Sequence, residues 1–262
     1  MTPRSSTRGQ RLVIGALSVA VFFCALELSG RAGFYETSLI PLPSSVSLAF
    51  ERLIRGPLLP DFGATARRIA TGYFVGSSLG ILVGLATGLL PRVRNLLEPL
   101  VQIGRPIPAV ALVPLALAWF GIGEFAKASI VAWACFFPVW INTHSGVGRV
   151  PDELLWTAAV LGASRRRTVL QVVIPWAGSF ILVGLRISLG LAFAATVVAE
   201  MSGASSGLGY RILVSHLAFR VDEMLASIIA IGAFGASVDL LFRTAAERLV
   251  PWLSQNEILR AR

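Results

Sequence analysis

PDELLWTAAVLGASRRRTVLQVVIPW, Pro151 to Trp176, is a polar, helix-prone island in an otherwise apolar chain. It holds a proline start, an acidic first turn at Asp152 and Glu153, an apolar helical run, a break at Gly162-Ala163-Ser164, three arginines, a second short run and Pro175. Proline and carboxylates favour a helix's first turn and glycine marks its end, so the order predicts helix, turn, helix. What surrounds the island decides the fold.

The 262 residues are 55% hydrophobic and 14% charged, with a mean hydropathy of +0.74. Such a composition lies outside the soluble globular range and describes an all-α membrane protein. The net charge of +9 comes from 23 basic residues, of which only Lys127 is not arginine. Most lie in short segments between apolar runs rather than on one patch, which is a topology signal and not a nucleic-acid footprint. Cys24 and Cys135 sit inside apolar runs without CxxC spacing, so neither a disulfide framework nor a zinc site is indicated.

A helix needs about 20 apolar residues to cross the roughly 30 Å hydrocarbon layer. Six stretches qualify: 12–29, 68–90, 99–120, 126–147, 177–201 and 223–245. The first follows Arg4, Arg8 and Arg11 and resembles a signal peptide. It has no small-x-small site before Glu27, and Phe22 and Phe23 ahead of Cys24 do not suit a lipoprotein, so it is read as uncleaved. Between the first two spans, Gly30 to Arg67 is expected to be extramembrane and partly helical, with an amphipathic stretch near Ser44 to Ile54.

A cytoplasmic N-terminus puts Arg4, Arg8, Arg11, Arg92, Arg94, Arg149, Arg165, Arg166 and Arg167 and the tail arginines inside, while the outer loop Gly121 to Phe125 carries none. That asymmetry follows the positive-inside rule. Arg31, Arg52, Arg55, Arg67, Arg68, Arg211 and Arg220 then fall outside, most of them in longer segments where the rule weakens. Both termini and the island are expected on the cytoplasmic side of a multi-pass protein.

The spans carry their own patterns. Gly72, Gly76, Gly80, Gly84 and Gly88 recur every four residues and bare one helical face. Each glycine costs about 1 kcal/mol against alanine in an exposed helix, so the stripe predicts a closely packed neighbour. In GRPIPAVALVPLALAWFGIG, Pro106, Pro108 and Pro114 remove helix donors and favour kinks. Such breaks occur in pathway walls, and also where a helix bends to fit its bundle. Glu27, Arg105, Arg186, Glu200 and Asp239 lie within or near span ends, where a lipid-facing charge costs about 2.5–3.5 kcal/mol centrally. They should face protein, water or headgroups, and Arg105 and Glu200 join the three prolines as pathway candidates.

Several chemistries are missing. There is no GxxxxGK[ST] phosphate loop, and Lys127 follows Phe125-Ala126 rather than a glycine-rich turn. His144 and His216 are the only histidines, with no HExxH or GxSxG, so no metal or nucleophilic catalytic constellation is recognisable. From the residues alone the island fits either a helix pair docking in a partner's groove or an amphipathic loop on the headgroups, its arginines drawn to anionic lipid.

LGASRRRTVLQVVIPWA resembles the EAA loop of ABC importer permeases, roughly EAAxxLGAS, about ten variable residues, then a hydrophobic-Pro pair. Leu161, Gly162, Ala163, Ser164, Ile174 and Pro175 match; Trp156 stands at the Glu position and Thr157 at the first Ala, with Ala158 keeping the second. RPIPAVALVPLALAWFGIGEFAK and VVAEMSGASSGLGYRI are similar to the branch serving nitrate, sulfonate and taurine importers. The resemblance implies a type I importer fold over residues 61–246. Residues 1–60 supply an N-terminal tail, a first span and an extracytoplasmic segment, and 247–262 a cytoplasmic tail.

It further implies a non-hydrolytic inner-membrane permease with no cofactor of its own: ATP and Mg would sit on two ATPase subunits docking on a coupling-helix pair at 151–176. A second permease copy, as a homodimer, and an extracytoplasmic substrate-binding protein complete the assembly. Trp156, Thr157, Ala158, Leu161, Gly162, Ala163, Ser164, Arg166 and Pro175 would form the coupling loop, Gly162 making its turn and Arg165 to Arg167 holding it at the inner surface. An ATP-independent transporter or channel is disfavoured by the lack of an inverted repeat and of a carboxylate relay. A membrane scaffold whose island recruits a soluble partner is the third reading.

Overall fold

The computed structural model describes residues 8–249, and every regular element among them is helical. Arg4 and most of the 247–262 tail lie outside the described residues. The chain divides into two compact units, Met1–Leu59 with Arg211–Ala230, and Pro60–Tyr210 with Ile231–Arg262.

In the first unit, α1 (Arg8–Arg31) is long and apolar enough to span a membrane, and α2 (Pro43–Arg55) is amphipathic. Glu27 of α1 pairs with Arg31 at 2.6 Å and accepts from Ser44 N at 3.1 Å and Ser44 Oγ at 2.8 Å. A carboxylate thereby satisfies an orphan donor in the first turn of α2. Ala49, Leu53 and Ala226 form this unit's small core, and Arg52 bridges to Asp222 at 2.6 Å.

The second unit carries α3 (Leu58–Leu89), α4 (Pro91–Gly104), α5 (Val113–Phe120), α6 (Glu124–Gly148), α7 (Asp152–Val160), α8 (Arg165–Thr168) and α9 (Ile174–Met201). Further on, α10 (Leu208–Leu217) and α11 (Val221–Leu249) belong partly to each unit. The core of the second unit is built from small and β-branched side chains, among them Ile69, Val113, Ala116, Ala126, Ile130, Val131, Cys135, Ala192, Ala195 and Ala199. Small residues let helices approach closely where lipid offers no hydrophobic drive for their association.

The α3 glycines show this most sharply. A Cβ at Gly76 would overlap the backbone of Ala132, and at Gly80 it would lie 2.8 Å from the Phe136 carbonyl oxygen. At Gly84 and Gly88 it would meet Thr143 and Val147, at 2.6 and 2.7 Å, and Gly72 is equally tight against Val131. The whole stripe lies on α6. Around it, Trp140 Nε1 donates to Thr87 Oγ1 at 3.2 Å, and Tyr73 donates its hydroxyl to the Leu185 carbonyl at 3.0 Å.

The structure draws three stretches more finely. The stretch 99–120 is not a continuous helix: α4 and the Ala109–Phe120 segment meet at 85°. Pro106 and Pro108 carry no backbone N–H to continue the helix, Arg105 still being helical, and the chain turns extended at Pro108 (ψ 135°), so the break at 105–108 is complete rather than a kink. Next, the helix that carries the expected 68–90 span, α3, begins ten residues earlier, at Leu58, within the segment expected to be partly helical. Finally, the second helix of the island is not a separate element. α8 passes through a π-helical turn, Val169–Val173, into α9, giving one apolar span of 37 residues from Arg165 to Met201. Pro175 reads as a stop, yet the widened turn just before it accommodates the missing N–H and the ring.

Candidate functional site

Two parts of the second unit gather the sequence candidates. The first is the elbow between α6 and α9. Its turn is a Schellman motif: Gly162 sits at φ +72°, Gly162 N donates to the Ala159 carbonyl at 3.0 Å, and Ala163 N donates to the Ala158 carbonyl at 2.9 Å. Only a residue without Cβ takes that conformation freely. Ser164 then caps α8, its Oγ accepting from Arg167 N at 3.4 Å. Gly-Ala-Ser thus ends one helix and starts the next.

The elbow helix α7 has two unlike faces. Leu155 packs on Val147, Val173 and Ala177, and Ala158 is buried. Trp156, Val160 and Leu161 point away and are 67, 86 and 79% exposed. Trp156 and Val160 are one helical turn apart and so share a face. Thr157 closes its hydroxyl onto the Glu153 carbonyl at 2.7 Å, and Arg165, Arg166 and Arg167 are exposed beside the turn. Pro175 lies in the first turn of α9.

The second part is the broken span. Arg105 and Pro108 line a cavity of about 560 Å³ with Trp133, Phe137, Asn142 and Leu191. Trp133 Nε1 donates to the Ile107 carbonyl at 3.2 Å, which satisfies one backbone acceptor freed by the break. Pro106 stays in the break and Pro114 in the first turn of α5, and neither lines this cavity.

Glu200 lies apart from that cavity. It is wholly buried and accepts from Thr65 Oγ1 at 2.9 Å, from Arg68 at 2.8 Å and from Gly209 N at 2.8 Å. Arg68, itself 3% exposed, also pairs with Glu124 at 2.6 Å and donates to the Ser206 carbonyl at 2.6 Å. Asp61 accepts from Gly207 N at 2.8 Å, and Thr65 Oγ1 from Leu208 N at 2.9 Å. Three consecutive backbone donors at the start of α10 are therefore met by side chains of α3 and α9. Sequence reading noted Glu200 but missed Arg68, Asp61, Thr65 and Glu124. The available signal was that a carboxylate in an apolar span needs a cation, and Arg68 opens the facing one.

Among the described residues, no three His, Cys, Asp or Glu cluster to hold a metal. Five candidate spans plus a broken one among the described residues, small-residue packing and an elbow helix exposed on one face define a multi-pass membrane protein. The profile for "Binding-protein-dependent transport system inner membrane component" matches residues 76–255, and the chain belongs to that family, the permease subunits of ABC importers.

Its relatives agree. A putative aliphatic sulfonates transport permease of Bacillus subtilis is 33% identical over 244 residues, covering 93% of this chain and 88% of its own. The taurine transport system permease of Escherichia coli is 38% identical over 195 residues, covering 74% of this chain and 71% of its own. The bicarbonate transport system permease of Synechococcus elongatus is 35% identical over 258 residues, covering 90% and 89%. Among solved structures, the inward-facing MetNI methionine ABC transporter superposes with a TM-score of 0.61 at 18% identity, covering 75% of this chain and 95% of that one. The fold is therefore that of an ABC importer permease.

Proposed function

We propose that this permease moves a small solute of the sulfonate, taurine, nitrate or bicarbonate class across the inner membrane, driven by ATPase subunits that dock on the 151–176 elbow. The observation that carries the docking role is the solvent-facing apolar patch of Trp156, Val160 and Leu161 on a short helix whose other face is anchored in the bundle. Large apolar anchors ringed by polar groups are what a partner's cleft buries. Trp156 replaces the acidic residue usual in this loop, so docking rests on apolar burial and on the Gly162 turn.

In the assembled transporter two copies of this chain form a homodimer, with two ATPase subunits carrying ATP and Mg on the cytoplasmic side and a binding protein delivering solute from the other. This chain hydrolyses nothing. Both termini and Arg165 to Arg167 face the cytoplasm, where the arginines meet lipid phosphates. The broken span, with Arg105, Pro106, Pro108 and Pro114, borders the solute path. Glu200 instead braces the opposite end of the bundle.

The test is co-expression with the ATPase and binding protein encoded beside this chain, followed by uptake assays in proteoliposomes. ATP-dependent uptake that needs the binding protein is expected. Uptake that proceeds without ATP would establish the secondary-transporter reading instead.

A further inference from the structure

We propose that Arg105, exposed on the cavity beside the broken span, is an anion-binding station, and that Arg149 is a second station nearer the elbow on the same path. The inference rests on the permease reading and gives its path a chemistry. A Cβ at Gly104 would touch Phe137 and Trp133 at 3.2 and 3.4 Å, so the break beside Arg105 lies about halfway along Glu124–Gly148. The Arg105 side chain is exposed, and at that depth in a membrane a guanidinium is costly unless an anion or water meets it. Among the described residues Arg105 has no ion-pair partner, although Arg68 and Arg186 in the same unit are both paired with carboxylates.

The cavity it lines fits a small amphiphilic anion. Its volume of about 560 Å³ lies in the range of small-molecule sites, and its walls are apolar and aromatic with few polar groups. Arg105 supplies planar donors suited to a sulfonate, nitrate or carboxylate group, and Trp133, Phe137 and Leu191 supply a wall for a short alkyl part. A second cavity, of about 410 Å³, shares Ile141 and Asn142 with the first and runs past Ser145 and Ser179 to Arg149. The Arg149 guanidinium rests over the Phe180 ring at 5.8 Å, and it too lacks an ion-pair partner among the described residues. Two unpaired cations joined by hydroxyl and amide groups form a path that attracts anions and opposes cations.

The experiment has two arms. In nanodiscs of zwitterionic lipid, quenching of the Trp133 fluorescence, taken as the part that Trp133→Phe removes, is compared for iodide and for neutral acrylamide. Arg105→Gln should reduce iodide quenching and leave acrylamide quenching unchanged, while Arg105→Lys should retain most of both. In proteoliposomes holding the complete transporter, Arg105→Gln should lower ethanesulfonate uptake about tenfold with the ATPase still bound, as losing one charge-assisted contact implies. Arg149→Gln should lower uptake less and spare the Trp133 signal.

Iodide quenching unchanged by Arg105→Gln, or wild-type ethanesulfonate uptake in that variant, overturns the proposal. So does loss of the iodide signal on enrichment with phosphatidylglycerol, because a lipid phosphate would then be the resident anion. Arg105-dependent quenching in a complex without ATP-driven uptake keeps the anion site and removes the importer reading, so the two failures are distinguishable.

Discussion

Gly162 and Trp156 divide the labour of the elbow between backbone and side chain. A Cβ at Gly162 meets nothing within 4 Å, so the turn has room for a larger residue, and the cost of substitution is its φ of +72°. Strain of that kind is worth about 1–3 kcal/mol and stays local. Gly162→Arg should therefore leave the bundle folded, with a thermal midpoint in detergent close to wild type, while abolishing co-purification of the ATPase. Normal co-purification would remove the turn from the docking surface. Trp156→Ala removes a largely exposed ring, so it too should spare stability, and should weaken ATPase binding by about 2 kcal/mol or more if the ring is an interface anchor. Titration calorimetry or native mass spectrometry against the purified ATPase would measure this. The turn was legible because Gly-Ala-Ser has one economical reading, a left-handed helix end followed by a cap. The exposure of Trp156 was not, since an aromatic in an apolar run reads equally well as core.

Among the helices, the α3–α6 seam is set by spacing alone, which is why a five-glycine period could be read from the chain while its partner could not. The structure supplies α6 as that partner and ranks the glycines. Gly76 faces backbone at Ala132, which cannot rotate away, whereas Gly88 faces only the side chain of Val147. Gly76→Leu should accordingly destabilise more than Gly88→Leu, by about 1–3 kcal/mol or more of overpacking, with helix separation lowering the monodisperse fraction on size exclusion. Gly178 in α9 is the control, for a Cβ there meets nothing within 4 Å, and Gly178→Ala should be neutral or stabilising by about 0.4–1 kcal/mol. Equal losses at Gly76 and Gly178 would show that helix propensity, not close approach, sets the stripe. The broken span was half legible: the prolines announced interruption, but an 85° bend depends on Trp133 reaching the Ile107 carbonyl from another helix. Pro175 misled for the opposite reason, because a π turn absorbed a residue that usually ends a helix.

At the scale of the molecule, two charge systems in the second unit do different work. Near the elbow, basic groups stay exposed. At the other end, Arg68 is buried between Glu124 and Glu200, which joins the N-terminal third of α3, the start of α6 and the end of α9, while Asp61, Thr65 and Glu200 hold the first donors of α10. No local pattern announces a pair 132 residues apart, since only packing brings its members together. Removing Arg68 leaves the buried Glu200 with neither water nor counter-ion, at about 3–5 kcal/mol, whereas replacing both can be nearly neutral. Arg68→Met should thus lower the thermal midpoint strongly, and Glu200→Gln less, because the amide keeps some of the hydrogen bonds from Thr65 and Gly209. Arg68→Met with Glu200→Met should recover part of the stability lost by Arg68→Met alone. If the network only braces this end of the bundle, the double variant should bind the ATPase normally and regain uptake in proportion to folded protein. A double variant that is stable and binds the ATPase yet does not transport would assign the ion pair a part in the transport cycle itself, as a contact that must break and reform.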